Sequence, residues 1–323
     1  MTRKKIRPKP AAHPPVSAYE RALDAWRPPS TSPPTVSGRW LLTATGLTIL
    51  AAAVCAWGVL CLLFWQGSWQ LLYHPVAAVT RTPASVGLAF DAVGFATAES
   101  GQPRLKGWWI PAGPEARFSR YTVLYLNGQD GNMGDAVEAL AGLHSAGVNV
   151  LAFDYRGYGQ SQSARPSEAH WREDADWALQ YLTGTRHVAA GTIVLEGSEL
   201  GANLALEMAA AHSELAGVIV RDPLPEPMDP IFADQRARLV PAHWLVKDRF
   251  DADAAASALR IPSLWLLQIA SPPNIGMVNE LSVFKKVSAR KKLLWLPTPS
   301  LALKEESDEL SGLLGIPPAS AHN

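Results

Sequence analysis

The chain has 323 residues, 48% of them hydrophobic, with 29 basic and 29 acidic side chains and no formal net charge. That apolar share is too high for a disordered chain, and the charge balance gives no general reason to bind nucleic acid. The length suffices for one large α/β domain plus appendages.

The charge is unevenly placed. Arg3, Lys4, Lys5, Arg7 and Lys9 crowd the start, with Arg21, Arg27 and Arg39 following. Prolines 8, 10, 14, 15, 28, 29, 33 and 34 share this stretch, so residues 1–39 read as a Pro-rich basic tail with little to bury, expected to be disordered. Its cations are placed to touch anionic lipid headgroups.

No Asp, Glu, Lys or Arg occurs between Arg39 and Arg81, and residues 40–65 are apolar, small or hydroxylated throughout. A run of that length spans a bilayer with some tilt, and Trp40 at one end with Trp65, Trp69 and Tyr73 at the other suits interfacial aromatic belts. The expectation is a single-pass signal anchor. A cleaved signal peptide would have a shorter apolar core and a small-x-small site, and neither is evident. The basic flank puts the N-terminus in the cytoplasm and residues 66–323 on the non-cytoplasmic side, which is the periplasm in a bacterium. Both cysteines, Cys55 and Cys61, fall inside this helix and read as small apolar residues facing lipid.

After the anchor, residues 93–97 and 105–110 read as a hairpin about the turn Ser100-Gly101-Gln102-Pro103. Strands are expected at 121–126, 148–153, 192–195, 216–220, 262–269 and 292–296. Helices are expected at 133–145, 167–182, 202–209 and 278–287. Near-continuous apolar strands alternating with helices imply a buried, mostly parallel sheet covered on both faces, the α/β class. Residues 223–244 hold five prolines and no clear period, and read as a cap over the carboxyl edge of the sheet, where open α/β folds place their sites. Residues 304–310 read as an amphipathic last helix whose acidic run is a solvated face.

Between the strand at 192–195 and the helix at 202–209 stands Gly197-Ser198-Glu199-Leu200-Gly201. Strand, tight turn and helix is the setting of the G-x-S-x-G nucleophile elbow, in which two glycines let the elements cross closely and expose the central side chain. Here the centre is Glu199, and the neighbouring Ser198 lacks the required glycine spacing.

With Tyr73-His74-Pro75, Gly107-Trp108-Trp109-Ile110-Pro111, Asp154-Tyr155-Arg156-Gly157-Tyr158-Gly159-Gln160-Ser161, the elbow and Asp248-Arg249-Phe250-Asp251, the chain resembles the α/β-hydrolase superfamily, in its single-pass membrane-anchored, serine-peptidase-like or acyl-thioesterase-like branch. The resemblance runs from about Leu71 to Leu301. It implies an α/β-hydrolase fold and a Ser-His-Asp triad, and it places Glu199 at the serine, Pro272 at the acid and Leu301 at the histidine. Asn127-Gly128 stands where the family has His-Gly, and Gln129 and Leu200 would supply oxyanion-hole N–H groups. Asp222 is a position some relatives use for the acid.

The histidines weighed as substitutes are His144, His170, His187 and His212, within or near predicted helices, and His243 and His322, which reach the site only if their segments fold over it. Glu199 has three readings: a carboxylate nucleophile, a residue fixed after the serine ceased to matter, or a permanent mimic of an acyl-enzyme whose carboxylate occupies the oxyanion hole on the N–H groups of Leu200 and Gln129. The favoured expectation is a catalytically silent protein that binds an unknown protein or a small acyl ligand, beside the bilayer through 40–65. The rival is a hydrolase of acyl ester, thioester or peptide bonds using non-standard residues. No cofactor, no metal ligand set and no nucleic acid partner is expected.

Overall fold

The computed structural model describes residues 17–26, 36–268, 275–296, 309, 312 and 313. It divides into two compact units, Met1–Ala56 and Trp57–Asn323. In the first, α1 (Ala18–Ala25) opens on a capping box in which the Ser17 side chain accepts from the Glu20 N–H and Glu20 returns the bond. The rest of the expected tail, residues 1–16 and 27–35, lies outside the described residues.

Helix α2 (Gly38–Gly67) is 30 residues long and, continuing through a 3-10 turn to Leu71, is long and apolar enough to cross a membrane. Within the second unit its end packs into the core, with Phe64 buried and Leu60 and Cys61 against the core. The second unit begins at Trp57, within α2, because a helix passing a sheet buries whichever apolar face meets it.

That unit is built on an eight-stranded sheet: β1 (Asp91–Thr97), β2 (Pro103–Ile110), β3 (Thr122–Leu126), β4 (Asn149–Asp154), β5 (Ile193–Ser198), β6 (Gly217–Arg221), β7 (Ser263–Gln268) and β8 (Lys291–Leu296). The spatial order is β1-β2-β4-β3-β5-β6-β7-β8. β1 and β2 form the expected hairpin, β2 runs antiparallel to β4, and the remaining pairs are parallel. β3 and β5 are buried along nearly their whole length, which is why they read as unbroken apolar runs.

One face is covered by α3 (Val137–Ala146), through Val137, Leu140 and Leu143. The other is covered by α4 (Glu168–Gln180), α5 (Leu200–Ala211), α8 (Ala252–Ala258), α9 (Ile275–Lys286) and the end of α2. β5 carries on past its apolar run and buries Glu196 completely, opposite Ile219 of β6; Arg221, two residues farther along β6, donates Nη2 to Glu196 Oε1 at 3.0 Å. A carboxylate so deep is tolerable only with such a partner.

The cap is more ordered than its composition suggested. It contains α6 (Asp229–Phe232), a 3-10 turn over Gln235–Leu239 and α7 (Ala242–Leu245). Pro230 in the first turn of α6 and Pro241 at the cap of α7 start helices that are too short to show a period. Of the expected C-terminal helix at 304–310, only Glu309 is described, in helical conformation.

Candidate functional site

The elbow forms. Gly197 ends the buried run of β5, and Glu199 caps α5 with φ 53° and ψ −121°, a conformation that side-chain-bearing residues rarely adopt. Both glycines are sterically required: a Cβ on Gly197 would lie 2.1 Å from the Gly201 carbonyl oxygen, and one on Gly201 would lie 2.3 Å from that of Asn127. β5, α5 and the loop after β3 are thus pressed into contact behind residue 199, at the carboxyl ends of the central strands, where open α/β sheets place their sites.

The loop after β3 is braced from beneath. Tyr155 donates its hydroxyl to the Asn127 carbonyl at 3.2 Å and Tyr158 to that of Gln129 at 2.9 Å. Asn127, in place of the family's histidine, is buried and donates Nδ2 to the Phe153 carbonyl at 3.0 Å. Tyr155 stacks on Trp171 with ring centres 4.0 Å apart, and burial pushes the hydroxyls of both tyrosines toward the neutral form. The D-Y-R-G-Y-G-x-S string is this brace. Asp154 accepts the Met133 N–H at 2.7 Å, and burial lifts its carboxyl to about 6 against the pull of that bond. Arg156 places Nε 2.5 Å from Asp174. Gly159, at φ 49°, has no room for a Cβ beside Asp154.

In the hole itself, the N–H of Leu200 is taken: the Gln129 side-chain carbonyl oxygen accepts it at 3.2 Å. This corrects the expectation that the Glu199 carboxylate would occupy that donor. Glu199 instead leans over Gly128, its Oε2 lying 3.0 Å from where a Cβ on that glycine would be. Burial raises the Glu199 pKa, Asp130 and Asp222 raise it further, and a hydrogen bond with the Gln129 side chain opposes them. The Gln129 amide nitrogen also donates to Asp130 Oδ2 at 3.3 Å, and Asp130 Oδ1 sits 2.5 Å from His74 Nδ1.

His74 escaped the survey of histidines because a two-residue strand puts it there: His74–Pro75 pairs in parallel with Asp130–Gly131, and the His74 N–H donates to the Gln129 carbonyl at 3.0 Å. Its only trace in the sequence is the Tyr73-His74-Pro75 string.

Asp222, at φ 45°, follows β6 and spends its carboxylate on Gln268, accepting the backbone N–H at 2.7 Å and the side-chain amide at 3.1 Å. Glu280 of α9 stands near it, and burial together with the Asp222 charge raises its carboxyl to about 7. His243 lies on the cap with its ring 4.1 Å from that of Phe232. His170 faces the Arg165 carbonyl, and His212 faces Asp176 and Glu214. Pro272, Leu301 and His322 lie outside the described residues. Among the described residues no cluster of His, Cys, Asp and Glu could hold a metal.

Residues 119–258 match the family described as serine aminopeptidase, S33. The chain resembles the uncharacterised protein Rv2307c of Mycobacterium tuberculosis, 33% identical over 54% of this chain and 60% of that one. It also resembles alpha/beta hydrolase domain-containing protein 17C of Mus musculus, 34% identical over 38% of each chain. Among solved structures it is similar to the Pyrococcus furiosus esterase Pf2001, with a TM-score of 0.58 at 18% identity over 76% of this chain and 98% of that one. The chain has the α/β-hydrolase fold. A Vibrio vulnificus alpha-beta hydrolase superposes with a TM-score of 0.55 at 21% identity, over 71% of this chain and 83% of that one. Within that fold the chain has the elbow and the braced loop after β3, while its elbow carries a carboxylate and its Leu200 amide is satisfied internally.

Proposed function

We propose that this α/β-hydrolase-fold protein is a membrane-anchored pseudoenzyme that works by binding a protein or a small acyl ligand. The observation that carries the reading is the bond from the Leu200 N–H to Gln129 Oε1, behind a glutamate at the elbow. Hydrolysis of an acyl substrate needs a nucleophile at residue 199 and a donor free to receive the carbonyl oxygen. In support of the reading, the elbow holds a carboxylate in place of a hydroxyl, the Leu200 N–H is bonded to Gln129, and the Asp130 and Asp222 charges around Glu199 would oppose the negative charge an oxyanion develops. The anchor reading rests on the long apolar α2 and the basic residues before it, with the N-terminus in the cytoplasm.

One observation favours the rival, an active hydrolase on an acyl ester, thioester or peptide. His74 and Asp130 form an acid–imidazole pair, joined through the Gln129 side chain to Glu199. Both readings meet in one experiment on the full chain in detergent, shown to be folded: labelling with a fluorophosphonate probe beside turnover of short acyl esters. No adduct and no turnover is the expected result. An adduct abolished by replacing one serine, or turnover abolished by Glu199→Gln, would overturn it.

A further inference from the structure

The exposed large hydrophobic side chains of the unit beginning at Trp57 lie mainly on two elements, α2 and the cap, which meet where Trp57 bonds Leu239. On α2 they include Val59, Leu62, Leu63 and Trp65, and on the cap they are Leu239 and Trp244, the latter 85% exposed. Beyond these two elements the described residues of that unit expose only Val76 and Val278 among large hydrophobics. Scattered apolar residues need no explanation, but a contiguous patch marks a surface that something covers.

The patch is tied together. The Trp57 indole N–H donates to the Leu239 carbonyl at 3.0 Å, fixing the 3-10 turn of the cap level with that residue of α2. Farther along the helix, a pocket of about 180 Å³ opens between helix and cap, with Trp65, Trp69, Arg165 and Lys247 on its walls. Arg165 stands over the Trp65 ring at 5.4 Å and donates to the Trp65 carbonyl at 2.6 Å. Arg165 and Lys247 are both exposed.

Helix geometry says what meets this patch. At about 1.5 Å per residue, a helix entering hydrocarbon at Trp40 has crossed about 30 Å by roughly residue 60. Trp57 and the Leu239 turn then lie just inside the hydrocarbon boundary, and Leu62 to Trp65 lie in the headgroup layer, where tryptophans and cations are favoured. Arg236 and Arg238 flank Leu239, and Arg236 is paired with Asp234; both side chains are long enough to carry their charge outward to the headgroups.

We propose that the cap rests in the bilayer leaflet at the exit of α2, with Leu239 and Trp244 inserted among the acyl chains and Arg165 and Lys247 facing lipid phosphates. The proposal rests on the anchor reading. The bilayer is favoured over a protein partner because helix length puts Trp57 at the hydrocarbon boundary, and its indole N–H holds the exposed Leu239 turn at that level.

The test uses the full chain with Cys55 and Cys61 replaced by Ala, reconstituted in phosphatidylcholine–phosphatidylglycerol vesicles containing a doxyl-labelled lipid. An environment-sensitive fluorophore is placed in turn at Leu239→Cys, Trp244→Cys, Leu47→Cys within the span and Ser213→Cys, an exposed site after α5. The expected result is a loss of fluorescence at 239 and 244 approaching that at 47, with none at 213. Quenching at 47 but not at 239 or 244 overturns the proposal and leaves the anchor standing. Absence of quenching at 47 overturns the anchor reading, and the proposal with it. Matching thermal unfolding of the four labelled chains excludes misfolding as the cause, since 239, 244, 47 and 213 are all exposed.

Discussion

At φ 53° and ψ −121°, Glu199 holds a backbone conformation that costs a non-glycine residue about 1–3 kcal/mol. In a working hydrolase that strain aims a nucleophile; here it aims a carboxylate whose ionisation is opposed by burial and by Asp130 and Asp222. Replacing Glu199 with Gly relieves the strain at the expense of about 0.4–1 kcal/mol of extra unfolded-state entropy, so the variant should gain roughly 1 kcal/mol in denaturant unfolding. A loss of stability would mean that the carboxylate makes a stabilising contact. Glu280 gives a pH signature. Its carboxyl is raised from an ordinary 4.5 to about 7, so between those values the folded chain binds more protons than the unfolded one and stability falls as pH rises. Glu280→Gln should match the unaltered chain below pH 4.5, gain on it up to about pH 7 and keep a constant advantage above, read as the difference in Tm across a pH series.

Among elements, the contact of α5 with the cap depends on one buried amide. Asn203 donates Nδ2 to the Leu224 carbonyl at 2.6 Å and to the Phe250 carbonyl at 3.3 Å, and accepts the Leu224 N–H at 2.9 Å, so it holds both ends of the cap. Asn203→Leu strands these backbone groups and should cost about 2 kcal/mol or more, with proteolysis between Leu224 and Phe250 accelerated beyond what the global loss explains. Even cleavage across the whole chain would show that the amide does not single out the cap. The strands were legible because parallel strands buried on both faces are apolar throughout, as at 122–126 and 193–195. The elbow was legible because its steric demand for Gly197 and Gly201 is written in residue type. What Gln129 does was not: a side-chain oxygen settling on the Leu200 amide is a matter of reach across 71 positions of sequence, and no periodicity encodes it. The same holds for His74 meeting Asp130 across 56 positions. The cap's helices were missed because four- and five-residue turns are shorter than the window in which a 3.6-residue period shows.

For the whole molecule, the end of α2 belongs to the unit that begins at Trp57, and the sequence, apolar throughout, hides where that unit begins. Phe64 is 3% exposed in the core that covers the sheet, while its neighbour Leu63 is 63% exposed. A pure membrane span would treat the two alike, because lipid tails or detergent receive either side chain. A helix end that belongs to the folded domain distinguishes them: Phe64→Ala opens a cavity against well-packed neighbours and should cost about 3 kcal/mol or more, whereas Leu63→Ala should change stability by less than about 0.5 kcal/mol. Both variants are made in the full chain and unfolded in the same mild detergent, with near-ultraviolet circular dichroism reporting the packing of the sheet domain. Equal and small effects would show that the end of α2 adds no packing to the sheet domain. The expected asymmetry makes Phe64 and the helix turns around it part of the hydrophobic core that covers the sheet carrying the elbow.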